Sequence, residues 1–244
     1  MSGQAHPDLA AICATAREAA LEAGRAIMAV YTDFDPEQVQ WKGDQSPLTQ
    51  ADLASDRAIA ERLRREFPEI PYISEESGDL PFDARRDLPL TWLVDPLDGT
   101  KEFIKKNGEF TVNIALLAGG EVVAGVVSAP ASAMLFWAAK GLGAWRMGTE
   151  GPEQIRATPF RQDQAGLRLV ASRSHRDAET EAFTARFREP VFRAMGSSLK
   201  ILLLACGEAE VYPRFAPTME WDTAAAQIIL EEAGGRLVHA KTRH

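Results

Sequence analysis

The stretch Trp92–Asn113, WLVDPLDGTKEFIKKNGEFTVN, decides how the rest of the chain is read. Its opening, Trp92-Leu93-Val94, has the composition of a buried strand. The run ends in Asp95-Pro96-Leu97-Asp98-Gly99-Thr100. Pro96 and Gly99 argue against regular strand or helix there, so a turn is expected. That turn sets two carboxylates three residues apart, next to a hydroxyl and a glycine amide. Two acids at a strand end pack badly, because each unpaired buried charge is costly. They suit hard divalent cations, which take several oxygen ligands. Thr100–Phe103 reads as the start of a short helix, whose unbonded N–H groups would face an anion lying over the metals. A polar β-turn, with Asp and Gly in their usual places, explains DxxDGT alone about equally well.

The match is longer than that motif. Asp95–Thr100 resembles the DPxDGT signature of the inositol-monophosphatase superfamily of metal-dependent, lithium-sensitive phosphatases. Lys101-Glu102-Phe103 and Gly108–Asn113, GEFTVN, are similar to the corresponding block of the CysQ branch, the 3′(2′),5′-bisphosphate nucleotidases. A typical inositol monophosphatase is expected to read DGTTNF instead. The resemblance implies an α+β fold, the layered α-β-α-β-α sandwich of sugar phosphatases. Composition alone supports only α+β or α/β with several strands.

The 244 residues suit one large domain or two small lobes. A net charge of −8 argues against a nucleic-acid binder. It also sits oddly with a polyanionic substrate, unless several of the acids hold cations that reverse the local field. Cys13 and Cys206 lie in apolar helical contexts and read as reduced core residues, which fits a cytoplasmic location, with peripheral inner-membrane association left open. No secretory leader is visible. The apolar region 114–139 is broken by glycines and Pro130, so it reads as strands and not as a membrane span.

Outward from the central block, Asp8–Tyr31 has helical spacing at Leu9, Ile12, Ala16, Ala19, Ala23, Ile27 and Val30. Val39–Lys42 is strand-like. Leu48–Phe67 should be a second helix with Leu53, Ile59, Leu63 and Phe67 inward. Asp52 falls in its first turn, where a carboxylate also serves the helix dipole. Pro71–Ser74 reads as a strand ending in Glu75-Glu76, and residues 78–90 as a surface loop. Phe110–Ala118, Val122–Ser128, Met134–Ala139 and Ala144–Met147 should form an antiparallel meander under the two helices. The polar, turn-rich stretch 149–163 marks a boundary between an N-terminal lobe, 1–150, and a C-terminal lobe, 151–244. There, Leu167–Ala171 and Val191–Arg193 read as strands around a helix over 178–187. Gly196–Lys200 should open an apolar helix capped by Ser197, with Lys200 on its wet face. Ala209–Tyr212 should be a strand, and Glu220–Ala233 a helix closed by Gly234-Gly235.

The resemblance assigns roles to these positions. Metal ligands are Glu75, Asp95, the Leu97 carbonyl, Asp98 and Asp222, the last from the WDTAA segment; Glu76 is the weaker of the adjacent pair. Two magnesium ions are implied, with a third, weaker one near Glu75. An all-oxygen donor set without Cys or a matched His also favours magnesium over zinc. Asp52 and Thr100 would orient the attacking water. Substrate contacts would come from Gly99, Thr100, Lys101, Ser172, Arg173, Gly196, Ser197, Ser198, Lys200, Tyr212 and Arg214. His175 follows the SRS run but is discounted as a base. Related chains usually continue past Val238 through another strand pair. The implied activity is hydrolysis of the 3′-phosphate of adenosine 3′,5′-bisphosphate to AMP, with the sulfated analogue PAPS as a second substrate. The alternatives are an inositol-phosphate phosphatase and an inactive phosphonucleotide-binding protein. The expected partner is thus a small phosphonucleotide, bound by a monomer or a homodimer.

Overall fold

Small residues at helical spacing let the first helix lie close to what it covers. The computed structural model describes residues 8–35, 39–41, 47–77, 82–86, 88–171 and 178–240. Helix α1 (Leu9–Thr32) begins at Asp8, whose Oδ1 accepts the N–H groups of Ala10 and Ala11, each at 3.1 Å. Its inward stripe of Ala16, Ala19, Ala20, Ala23 and Ile27 is buried. After a two-residue pairing of β1 (Gln40–Trp41) with β2 (Pro47–Leu48), α2 (Gln50–Glu66) packs along α1. Leu53, expected inward, is exposed. The inner face of α2 instead carries Ala51, Asp52, Ser55, Ile59 and Leu63, because its first turn faces a polar site and not the core.

One seven-stranded sheet follows: β3 (Tyr72–Ser74), β4 (Leu90–Asp98), β5 (Thr111–Ala118), β6 (Glu121–Ala129), β7 (Met134–Ala139), β8 (Ala144–Gly148) and β9 (Gly151–Gln154), in that spatial order. β3 and β4 are parallel, and the other neighbours are antiparallel. Two expectations are corrected here. The presumed loop over 78–90 contains a short helix, α3 (Phe82–Arg85), and the presumed turn-rich stretch 149–163 supplies β9. Pro152 is tolerated because β9 is an edge strand, with one side that needs no N–H donor.

Alternation along β4 divides the core. Trp92 and Val94 face α1 and α2, whereas Leu93 faces the opposite cluster with Leu202, Trp221, Ala225 and Ile229. That second face is covered by α6 (Leu199–Ala205) and α7 (Glu220–Glu232). Beyond them, β10 (Arg168–Ala171) pairs in parallel with β11 (Val191–Ala194). Phe183 of α5 (Ala178–Thr184) packs on Leu167 and Leu169 there. The layers therefore succeed one another as α-β-α-β-α. The strand expected over 209–212 is a single bridge, Leu169 to Val211, since Pro213 cannot continue a ladder.

Arg168 and Glu210 tie this outer layer together. The Arg168 backbone N–H donates to Glu210 Oε2 at 2.6 Å, Nε donates to Oε1 at 3.0 Å, and Nη2 reaches both Oε1 and the Gly207 carbonyl. Burial tends to raise the Glu210 pKa, but its bonds to Arg168 win and hold it below the usual carboxylate range. Glu210→Ala should therefore cost about 2 kcal/mol at neutral pH. Because the folded-state pKa is depressed, wild type keeps this advantage above the unfolded value and loses it as pH falls through the folded one. Thermal melts of both proteins, run from neutral into acidic pH, should converge at the acidic end.

Candidate active site

The turn expected at Asp95–Thr100 is a bulge. Pairing continues from Asp95, opposite Asn113, to Asp98, opposite Thr111, so β4 spends one residue more than β5 over this span. In a regular strand, residues three apart face opposite sides of the sheet; the extra residue brings Asp95 and Asp98 to the same side. Leu97 correspondingly points into the α1–α2 core. Gly99 then takes a left-handed φ of 95°, and a Cβ there would stand 3.1 Å from the Glu109 carbonyl oxygen. Helix α4 (Thr100–Ile104) starts immediately afterwards.

Asp95 is 1% exposed. Burial first, then the charges of Asp98, Glu75, Asp222 and Asp52, push its pKa well above the carboxylate range. Acids from four segments of the chain thus meet in their effect on Asp95. Like charges repel, and among the described residues no three of them close into a tight metal cage. The donor set is nevertheless all oxygen and strongly negative, which fits a divalent cation of the magnesium type. Leu97 N–H donates to Asp95 Oδ1 at 3.1 Å, fixing that carboxylate against its own strand. Asp98 is pushed up to about 6 by burial, against the opposing pull of Lys200.

Asp222 serves its helix as well. Its Oδ2 accepts Thr218 Oγ1 at 2.7 Å and Met219 N–H at 3.1 Å, capping α7. Asp52, 2% exposed, accepts Thr49 N–H and Oγ1 on Oδ2, and Thr100 Oγ1 on Oδ1 at 3.2 Å. The Asp52–Thr100 pair expected from the sequence is therefore formed.

The opposite wall is basic. Lys200 was expected on a wet face, but it is only 9% exposed. Burial lowers its pKa, while Asp98 pulls it back up. Its Nζ lies 5.8 Å from the Tyr212 ring centroid. Arg214 is exposed, reaches the field of Lys200, and donates to the Pro217 carbonyl at 3.0 Å. The helix cap also shifts by one residue: Ser198 is the N-cap, and Ser197 takes a φ of 46°. Gly196 is buried against Glu102 and Glu109, and its N–H donates to Glu109 Oε2 at 2.8 Å. Lys101 is exposed on α4. Ser172, Arg173 and His175 lie outside the described residues.

Asn113, the last residue of the GEFTVN run, has a place in the site that the sequence does not signal. Thr111 Oγ1 lies 2.8 Å from Ser198 Oγ, which donates to Asn113 Oδ1 at 2.8 Å, and Asn113 Nδ2 donates to Asp98 Oδ2 at 3.5 Å. This buried chain links α6 to Asp98. Ser55 was also missed, although its place in phase with Ile59 on the inner face was a readable signal.

Comparison with known proteins gives the family and the fold. The model of the "Inositol monophosphatase family" matches residues 8–244. The 3′(2′),5′-bisphosphate nucleotidase CysQ of Salmonella typhimurium is 45% identical over 93% of this chain and 88% of that protein. Its Escherichia coli K12 counterpart is 44% identical over the same shares. The crystal structure of CysQ from Bacteroides thetaiotaomicron superposes with a TM-score of 0.81 at 40% identity, over 94% of this chain and 89% of that one. The inositol monophosphatase of Anabaena gives 0.74 at 28% identity, over 97% and 89%. With the layered fold, the clustered carboxylates and a family match from residue 8 onward, the chain belongs to the inositol monophosphatase family.

Proposed function

We propose that this protein is a magnesium-dependent phosphatase that removes the 3′-phosphate of adenosine 3′,5′-bisphosphate, yielding AMP and phosphate, and that it also accepts PAPS. The observation that carries this reading is the crowding of charge around Asp95, where Asp98 of the same strand is joined by Glu75, Asp222 and Asp52 from other segments of the chain. The relatives named as bisphosphate nucleotidases, at 44 to 45% identity, give the substrate class.

Glu75, Asp95 and the Leu97 carbonyl would hold one cation, and Asp95, Asp98 and Asp222 the other. Bound magnesium supplies Lewis-acid activation of water and neutralises charge on the leaving oxygen. The chain's own groups do the rest. Asp52 and Thr100 hold the attacking water in line; Thr100 Oγ1 accepts the water's proton as it passes its own to the Asp52 carboxylate, along the hydrogen bond they already share. Lys200, Tyr212 and Arg214 form the wall that receives the nucleoside and its 5′-phosphate, with an aromatic face and two cations together. No phosphoenzyme is required.

Phosphate release from a panel of adenosine 3′,5′-bisphosphate, PAPS, inositol 1-phosphate and fructose 1,6-bisphosphate tests this. The bisphosphate nucleotide should be preferred. EDTA should abolish the rate, magnesium should restore it, and lithium should inhibit it. A rate untouched by EDTA sinks the metal reading; a strong preference for inositol phosphate sinks the substrate assignment.

A further inference from the structure

Three residues on one face of α2 reach three different segments of the site. Asp52, Ser55 and Asp56 stand at i, i+3 and i+4, so they project together. Asp52 accepts the Thr100 hydroxyl. Ser55, 0% exposed, donates to the Pro96 carbonyl at 2.6 Å, inside the bulge between Asp95 and Leu97. Asp56 Oδ1 accepts Ser74 Oγ at 2.5 Å and Tyr72 OH at 2.8 Å. Ser74 Oγ in turn accepts Glu76 N–H at 3.2 Å, and Ser74 N–H donates to Ser77 Oγ at 3.1 Å. The hydroxyl that meets Asp56 therefore also pins the turn carrying Glu75.

This matters because the β3–β4 ladder ends where the ligands begin. Its last register pair is Ser74 with Val94, followed only by Glu75 N–H to the Val94 carbonyl at 3.1 Å. Beyond that point, strand pairing no longer sets the distance between Glu75 and the Asp95–Asp98 bulge. We infer that Ser55 and Asp56 are positioning residues. The face of α2 they share acts as a jig, tying the Glu75 turn and the bulge to one rigid element, and divalent-cation binding by their acids depends on that tie. The inference rests on the metal reading proposed above. A carboxylate accepting two hydroxyl donors makes strong, short bonds, which is what a fixed spacing needs.

The test is calorimetric titration of the substrate-free protein with Mn2+, together with the magnesium dependence of phosphate release. Asp56→Ala should weaken Mn2+ binding by about 10- to 100-fold, the range seen when groups supporting metal ligands are removed. Activity lost at low magnesium should return as magnesium is raised. Asp56→Asn keeps an acceptor oxygen and should restore most of the affinity. Ser55→Ala should weaken binding in the same direction. Ser74→Ala should reproduce Asp56→Ala, and it decides the matter if that variant does not fold. Wild-type Mn2+ affinity in Asp56→Ala and Ser74→Ala, with only a lower melting temperature, overturns the inference and leaves these residues structural. Wild-type protein that binds no Mn2+ overturns the metal reading itself, and the inference with it.

Discussion

Asp95→Asn is expected to cut phosphate release by about three orders of magnitude, equivalent to about 4 kcal/mol of lost transition-state stabilisation. The same substitution should raise the melting temperature of the metal-free protein. Both effects come from one fact. Asp95 is buried among Asp98, Glu75, Asp222 and Asp52, and its ionised form is resisted by burial and by all four. Asparagine keeps the side-chain shape and an acceptor for the Leu97 N–H, now 3.1 Å from Oδ1, while removing the charge. The fold loses an internal repulsion and the site loses the ligand proposed to bridge two cations. Sites that sacrifice stability for function show this opposition. Melting curves in EDTA and with magnesium check it: wild type should gain stability on magnesium addition, and the variant should gain far less. Near-wild-type turnover in the variant would exclude the central place given to Asp95.

What could be read beforehand, and what could not, divides along a physical line. That the strand from Trp92 leads through Asp95–Thr100 into a short helix was legible because its signals are local, carried by residues adjacent in sequence. Helix α1 was legible because its stripe repeats for six turns. The bulge was not, because register belongs to the partner strand: only Thr111 and Asn113, across the ladder, show that β4 has a residue to spare. Lys200 was misplaced for a related reason. Its own helix is short and apolar, so position along it says little. The long-range neighbours Asp98 and Tyr212 make a buried lysine tolerable there. Asp56, and Ser55 despite its phase with Ile59, were passed over because, read alone, polar residues in a helix suggest solvent. Their partners at Pro96, Ser74 and Tyr72 appear only once β3 and β4 are laid against α2. Asp222 also shows that a helix cap can face a site: it caps α7 while its charge acts on Asp95.

The placement of Asp222 depends in turn on a glycine far from the motif. Gly125 sits mid-strand in β6, opposite Ala115 and Ala138, where α7 crosses the sheet. A Cβ at this position would stand 2.4 Å from the Ala225 carbonyl oxygen, 2.6 Å from Ile228 Cγ2 and 3.0 Å from Ala225 Cα. The isoleucine methyl can turn aside, but the Ala225 backbone yields only if α7 moves. Gly125→Ala should therefore cost about 1–3 kcal/mol through overpacking. For a chain of this size each kcal/mol lowers the melting temperature by roughly 2–4 °C. Asp222 lies one turn before Ala225, so the displaced helix carries it off its place among the acids. Misplacement on the scale of 1 Å costs up to about a hundredfold in rate. The magnesium concentration for half-maximal activity should rise with that loss. Gly119→Ala separates this effect from destabilisation in general. A Cβ at Gly119 meets nothing within 4 Å, and the φ of +57° there imposes only left-handed backbone strain, about 1–2 kcal/mol. That variant should melt lower yet keep the wild-type magnesium response. If Gly125→Ala keeps it too, the contact between α7 and β6 does not govern where Asp222 stands.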